Sequence, residues 1–175
     1  MSPIIVALII VFVVISASTI FVYKHIRNLK GKKEKLLSYL SKIASREGLF
    51  FARQEELLNS IIALDRLQQK LLIIEENNGR YYWKIIALDE VENCALKKVY
   101  DSIDAGGLKR KWVEEYLRTI VLQFNFKNNR ASFDLAFYEN TVNNIYEMPE
   151  LENKARKWQV MLSKIIVKQV EPIAY

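Results

Sequence analysis

The sequence predicts an α+β protein: an N-terminal transmembrane helix, then a mainly antiparallel β-sheet or open barrel, closed by a C-terminal amphipathic helix. Three observations predict it. Residues Pro3 to Tyr23 carry no charge, short apolar runs separated by polar turns follow from Asn59 to Tyr138, and after Pro149 apolar residues recur at spacings of three and four. The 175 residues are 51% hydrophobic and 26% charged with five Gly and three Pro, which excludes a mainly disordered chain and suits one core beyond the N-terminal segment.

The first element is the uncharged run. At about 1.5 Å per residue a helix from Pro3 to Tyr23 covers the roughly 30 Å of a bilayer's hydrocarbon. Ser16, Ser18 and Thr19 can return their hydroxyls to carbonyls one turn back, and Tyr23 falls where an interfacial aromatic belongs. Ser16-Ala17-Ser18 also offers the small residues of a cleavage site. Against a cleaved signal, no Lys or Arg precedes the run and it exceeds a typical h-region, so residues 1–23 are expected to stay as an anchor.

A basic juxtamembrane segment and amphipathic helix are expected over 24–48. Lys24, Arg27, Lys30, Lys32, Lys33 and Lys35 are opposed only by Glu34, and this cluster holds all but about one unit of the chain's net charge of +6. Retention of Lys and Arg on the inner side predicts a single-pass cell-membrane protein with its N-terminus outside and its C-terminal domain cytoplasmic. The same cations are candidate contacts for anionic lipid. Leu36, Leu37, Leu40, Ile43 and Ala44 follow at helical spacing, with Gly48 as the stop.

The β domain is expected over 49–175. Ser60–Leu64 and Lys70–Glu75 read as a hairpin joined by Asp65-Arg66-Leu67-Gln68-Gln69, and Asn77-Asn78-Gly79 as a turn into Tyr81–Leu88. Asn93–Tyr100 is the next strand. Asp104–Gly107 is a break, and Lys109, Arg110 and Lys111 give it a positive tip that joins the candidate lipid contacts. Tyr116–Phe126 is the longest strand, with Tyr116, Arg118, Ile120, Leu122, Phe124 and Phe126 as the expected core face. Ser132–Tyr138 returns antiparallel to it with Phe133, Leu135 and Phe137 in alternation. The last element takes Pro149 as its first helical position, Glu150 and Glu152 near its positive end and Lys164 and Lys168 near its negative end. Leu151, Ala155, Trp158, Met161, Leu162 and Ile165 form its apolar stripe.

No residue set announces chemistry. The single Cys94 lies in a strand-like stretch and reads as a small buried side chain, and the single His25 stands beside the first helix among Lys24 and Arg27. A zinc site needs several such ligands and a nucleophile–histidine pair needs a usable His, so metal, cofactor and catalytic residues are all expected to be none. The repeated Ile-Ile-Ala-Leu-Asp ending at Asp65 and Asp89 could pair two carboxylates, but each Asp more simply ends a strand and caps a turn. Gly106-Gly107 before Lys109 lacks the Gly-Lys-Ser/Thr ending of a phosphate cradle. Tyr81, Tyr82 and Trp83 suit a half-buried strand, or an interface.

In order, six or seven antiparallel strands precede one amphipathic helix. With the hairpin Ile61–Asp65 into Lys70–Ile74, and Ile85–Leu96 as strand, tight helical turn and strand, the stretch from roughly Asn59 to Lys168 resembles the pleckstrin-homology-like barrel, its bacterial members in particular. Phosphoinositide-binding members place cations closely in the first hairpin loop. Here Arg66 and Lys70 are separated by three residues, so inositol-phosphate recognition is not implied. The resemblance implies a non-enzymatic, membrane-anchored interaction or scaffolding module whose partners are the lipid bilayer and another protein. The alternative is a peripheral sensor of anionic lipids. Nucleic acid is not expected, because a nearly neutral domain lacks the basic face that replaces phosphate counterions.

Overall fold

The computed structural model describes residues 3–57, 59–101, 117–128 and 130–168, without the side chains of 3–10, 25, 26, 28, 29 and 168. The chain divides into two compact units, Met1–Gly48 and Leu49–Tyr175.

The first unit is one helix, α1, Pro3–Glu47. Gly31 does not interrupt it, since one glycine costs a helix interior only about 1 kcal/mol. Gly48 ends it with φ +63°, the left-handed conformation of a C-terminal glycine. Ser16, Ser18 and Thr19 do bond back to the carbonyls of Phe12, Val14 and Ser16, each at 2.8 Å.

The expected transmembrane helix is corrected. Among the described residues no helix is long and apolar enough to cross a membrane. The uncharged run is not a separate apolar element: the same helix continues from it through Lys24 and Arg27 to Glu47 without a break. The single-pass cell-membrane placement, with the N-terminus out and the C-terminal domain cytoplasmic, rested on that span and falls with it.

The second unit is α+β, with two antiparallel sheets among the described residues. The first runs in the order β1 (Arg53–Glu56), β2 (Ser60–Asp65), β3 (Lys70–Asn77), β4 (Arg80–Ala87). The second is β5 (Val91–Tyr100), β6 (Leu117–Phe126), β7 (Phe133–Glu139). The β3–β4 turn is set by Asn78 and Gly79, both at positive φ (52° and 75°), the two-residue hairpin geometry that follows the twist of the strands. The open barrel is therefore also corrected: both sheets are open. Between β4 and β5 the chain winds into a 3-10 turn, Leu88–Glu90, which takes the backbone out of pairing range. Side chains link the sheets there instead. The Lys84 ammonium on β4 stands 4.0 Å from the Phe133 ring centre on β7, and Arg130 over Phe126 bonds Glu90 at 2.6 Å.

The core lies between the sheets and under the second helix, α2, Met148–Lys168. It gathers Ile62, Leu64, Leu71, Ile73 and Ile86 from the first sheet with Ile120, Leu122, Phe124, Leu135 and Phe137 from the second. Leu151, Ala155, Trp158, Leu162 and Ile166 of α2 seal it, a stripe at spacings of three and four, with Met161 and Ile165 half-buried beside it. Two ion pairs fasten α2 to the sheets, Lys98–Glu152 at 2.7 Å to β5 and Lys154–Glu55 at 3.3 Å to β1.

The expected core face of β6 holds from Ile120 to Phe126 and fails at its start. Leu117 is buried in the core and Arg118 is exposed, the reverse of strict alternation. Val99 pairs with Thr119 but Tyr100 with Leu117, so Arg118 is an extra residue that flips the phase. A second shift on β7, where Ile120 pairs with Tyr138 and Val121 with Ala136, lets adjacent Phe137 and Tyr138 both be buried.

Candidate functional site

The predicted cations fall in different places. Lys24, Arg27, Lys30, Lys32, Lys33 and Lys35 are all exposed on α1. At about 100° per residue they point to all sides of the helix and share no single face. Lys109, Arg110 and Lys111 lie outside the described residues, as do Gly106-Gly107 and the side chain of His25.

Asp65 and Asp89 have different fates. Asp65 is fully buried; its Oδ1 accepts the N–H groups of Leu67 and Gln68 at 2.8 and 2.9 Å, and its Oδ2 that of Phe50 at 2.8 Å. Burial by itself raises this carboxyl, but the three backbone donors, with Lys70 nearby, outweigh it and hold the group below the usual carboxylate range. It is a structural anion whose two oxygens accept three backbone hydrogen bonds. Asp89 is exposed in the 3-10 turn and offers its backbone carbonyl to the Lys127 ammonium at 2.7 Å. The paired-carboxylate alternative thus has no geometry to support it.

Burial pushes the Cys94 thiol up to about 12, far from a thiolate at neutral pH. Among the described residues no three His, Cys, Asp or Glu side chains cluster closely enough to hold a metal ion. On β4 Tyr81 is half-buried, whereas Tyr82 and Trp83 are 53% and 39% exposed.

A groove of about 980 Å³ runs along the outer side of α2. Its position follows from the helix period. With Leu151, Ala155, Trp158, Leu162 and Ile166 turned into the core, Arg156, Lys157, Val160, Lys164 and Val167 are left outward. Val160 and Val167 are 51% and 59% exposed, a second apolar line on a helix already buried on its core face. Together with Met161 and Ile165 they make the apolar part of the lining. The charged part is entirely basic among the described residues: Arg156, Lys157 and Lys164 from α2, Arg53 from β1, and Arg66 from the β2–β3 turn.

These five cations are not equivalent. The Arg53 guanidinium stands 5.7 Å from the centre of the buried Trp158 ring, roofing the core with its planar group. Arg156 bonds Glu152 at 2.9 Å. The Lys98 ammonium first, then Arg156, outweigh partial burial and hold the Glu152 carboxyl below its ordinary range. Arg66, Lys157 and Lys164 have no ionic partner among the described residues.

A second hollow of about 380 Å³, between the far ends of β3 and β7, has the opposite sign, with Glu75, Glu76 and Glu139 in its wall. Burial raises the Glu75 carboxyl, against the opposing pull of Lys84. Charge is thus segregated within a nearly neutral unit.

The sequence reading found α2 by its core stripe and missed the groove behind it. Val160 and Val167, seven residues apart and off that stripe, were the available signal; Arg53 and Arg66 could not be assigned, because pairing of β1 with β2 brings them to α2. No family model, curated protein or solved structure matches this chain.

Proposed function

We propose that residues 49–175 act as a non-enzymatic interaction module that docks a partner protein along α2. The observation that carries this is the groove with an apolar lining and, among the described residues, an all-basic set of charged side chains, on a helix whose other side is committed to the core. The order of four strands, three strands and a closing helix among the described residues is in keeping with the pleckstrin-homology-like resemblance of the sequence, and that likeness favours an interaction role. Asp65 is engaged by three backbone amides and the Cys94 thiol is buried with its pKa raised, which supports a non-enzymatic reading.

The test is a photo-crosslinking amino acid placed at Val160, with exposed Arg80 on β4 as the control position, in cells that make the full chain. A discrete adduct from Val160 and none from Arg80 is expected. Equal labelling from both positions, or none from Val160, refutes the proposal.

The second reading, a peripheral sensor of anionic lipid, draws on the six exposed cations of α1. Their spread around the helix counts against it, since only one side of a rod can lie against a flat headgroup layer.

A further inference from the structure

The occupant of the α2 groove is open to inference from the groove's own chemistry. We propose that it takes an acidic amphipathic segment of a partner protein, a helix with aliphatic residues on one side and carboxylates flanking them; this rests on the reading of the unit as an interaction module.

Charge complementarity is the first support. Every charged side chain described in the lining is basic, and Arg66, Lys157 and Lys164 lack an ionic partner among the described residues, so carboxylates could neutralise them without breaking an existing pair. The second support is the apolar lining. Val160 and Val167 are more than half exposed, and aliphatic surface of that kind gains when another apolar surface covers it. Length agrees as well. The lining on α2 runs from Asn153 to Val167, about 20 Å of helix, which matches about four turns of a docked helix.

The same features disfavour the other anionic partners. A phosphate or inositol-phosphate site gathers donors around one point, whereas Arg66, Lys157 and Lys164 are set among valine and isoleucine side chains. A headgroup layer is flat, and it cannot fill a concave volume of about 980 Å³. Single-stranded nucleic acid stacks on exposed aromatics, and none is among the described lining residues.

The test uses the full chain and a fluorescent synthetic peptide of roughly fifteen residues, long enough for about four helical turns. It carries Leu at positions of one helical face and Glu elsewhere. Comparators are a scrambled peptide of the same composition, a version with Lys for every Glu, phosphatidylserine vesicles, and inorganic phosphate. The acidic amphipathic peptide is expected to bind at least about tenfold more tightly than the scrambled and Lys versions, and to weaken several-fold at high salt. Lys157→Glu with Lys164→Glu should weaken it by at least about tenfold, and Val160→Asp likewise. These side chains are exposed, so an unchanged circular dichroism spectrum shows that the variants still fold.

Equal binding of the Lys peptide, or indifference to the charge reversals, overturns the inference. So does binding of phosphatidylserine vesicles or phosphate in place of the peptide. If the Val160 crosslink persists in cells while the acidic peptide fails to bind, the occupant is wrong and the module reading stands; if both fail, both are wrong.

Discussion

Trp158→Ala removes the largest side chain that is fully buried, and its cost can be worked out from its surroundings. The indole sits in the middle of the α2 stripe, between Ala155 and Leu162, and Arg53 lies over its ring at 5.7 Å. Truncating a buried Trp costs about 3–5 kcal/mol in lost transfer energy and residual cavity. The neighbouring alanine cannot fill the space, so the upper half of that range applies. Loss of the Arg53 contact adds about 0.5–1 kcal/mol. The indole Nε1–H has no hydrogen-bond partner among the described residues, so its removal breaks none and relieves the desolvation of a buried donor, which offsets part of this cost. A small domain holds only about 5–15 kcal/mol in total, so the variant is expected to be largely unfolded at temperatures the parent tolerates. Trp158→Phe, which keeps an aromatic ring and deletes the unpartnered donor, should lose about half as much or less. Urea denaturation followed by far-ultraviolet circular dichroism measures both, with an unchanged slope as the check on two-state behaviour. A loss below about 1 kcal/mol for Trp158→Ala would refute the packing of α2 over the core.

Asp65→Ala strips three backbone N–H groups of their acceptor and is expected to cost about 2–4 kcal/mol by the same denaturation, with Asp65→Asn retaining part of it. Asp65 and Glu152 have carboxyls held below their ordinary values of 3.8 and 4.5, so the stability they add is complete above those values and fades as acid titrates them in the folded state. Glu152→Gln should therefore make the midpoint fall less steeply below about pH 4.5, and an unaltered acid profile would deny Glu152 that role. Asn144→Ala removes the side chain that caps the turn leading into α2, at a cost of about 1 kcal/mol on the same scale. Cys94 is expected to resist thiol reagents at neutral pH until the domain is unfolded; rapid labelling of the native chain would place it elsewhere than in the core.

What the sequence disclosed is what local chemistry dictates. The Asn78-Gly79 turn, the Asp65 cap, the stop at Gly48 and the core stripe of α2 each depend on residues within a turn or two of one another. What it hid depends on distant partners. β1 is Arg-Gln-Glu-Glu, a segment with no apolar alternation, and it is a strand because β2 supplies its hydrogen bonds. The extra residue Arg118 inverts the faces at the start of β6, and alternation alone cannot announce an inversion. Asn143 and Asn144 stand before α2 with no local pattern to mark their roles, yet Asn144 and Glu147 form a reciprocal cap, and the Asn143 Oδ1 accepts the backbone N–H of Glu139 at 3.0 Å. The groove lay furthest from view, since its cations come from β1, the β2–β3 turn and α2.

The carboxylate of Asp65 serves two stretches of backbone that are fifteen residues apart, Phe50 at the beginning of the domain and Leu67-Gln68 at the hairpin tip. Removal of that one side chain deprives both stretches of their acceptor at once. Asp65→Ala should accordingly raise hydrogen–deuterium exchange at all three amides in one variant, which makes the β2–β3 reversal and the point where the domain's chain begins a single clasp.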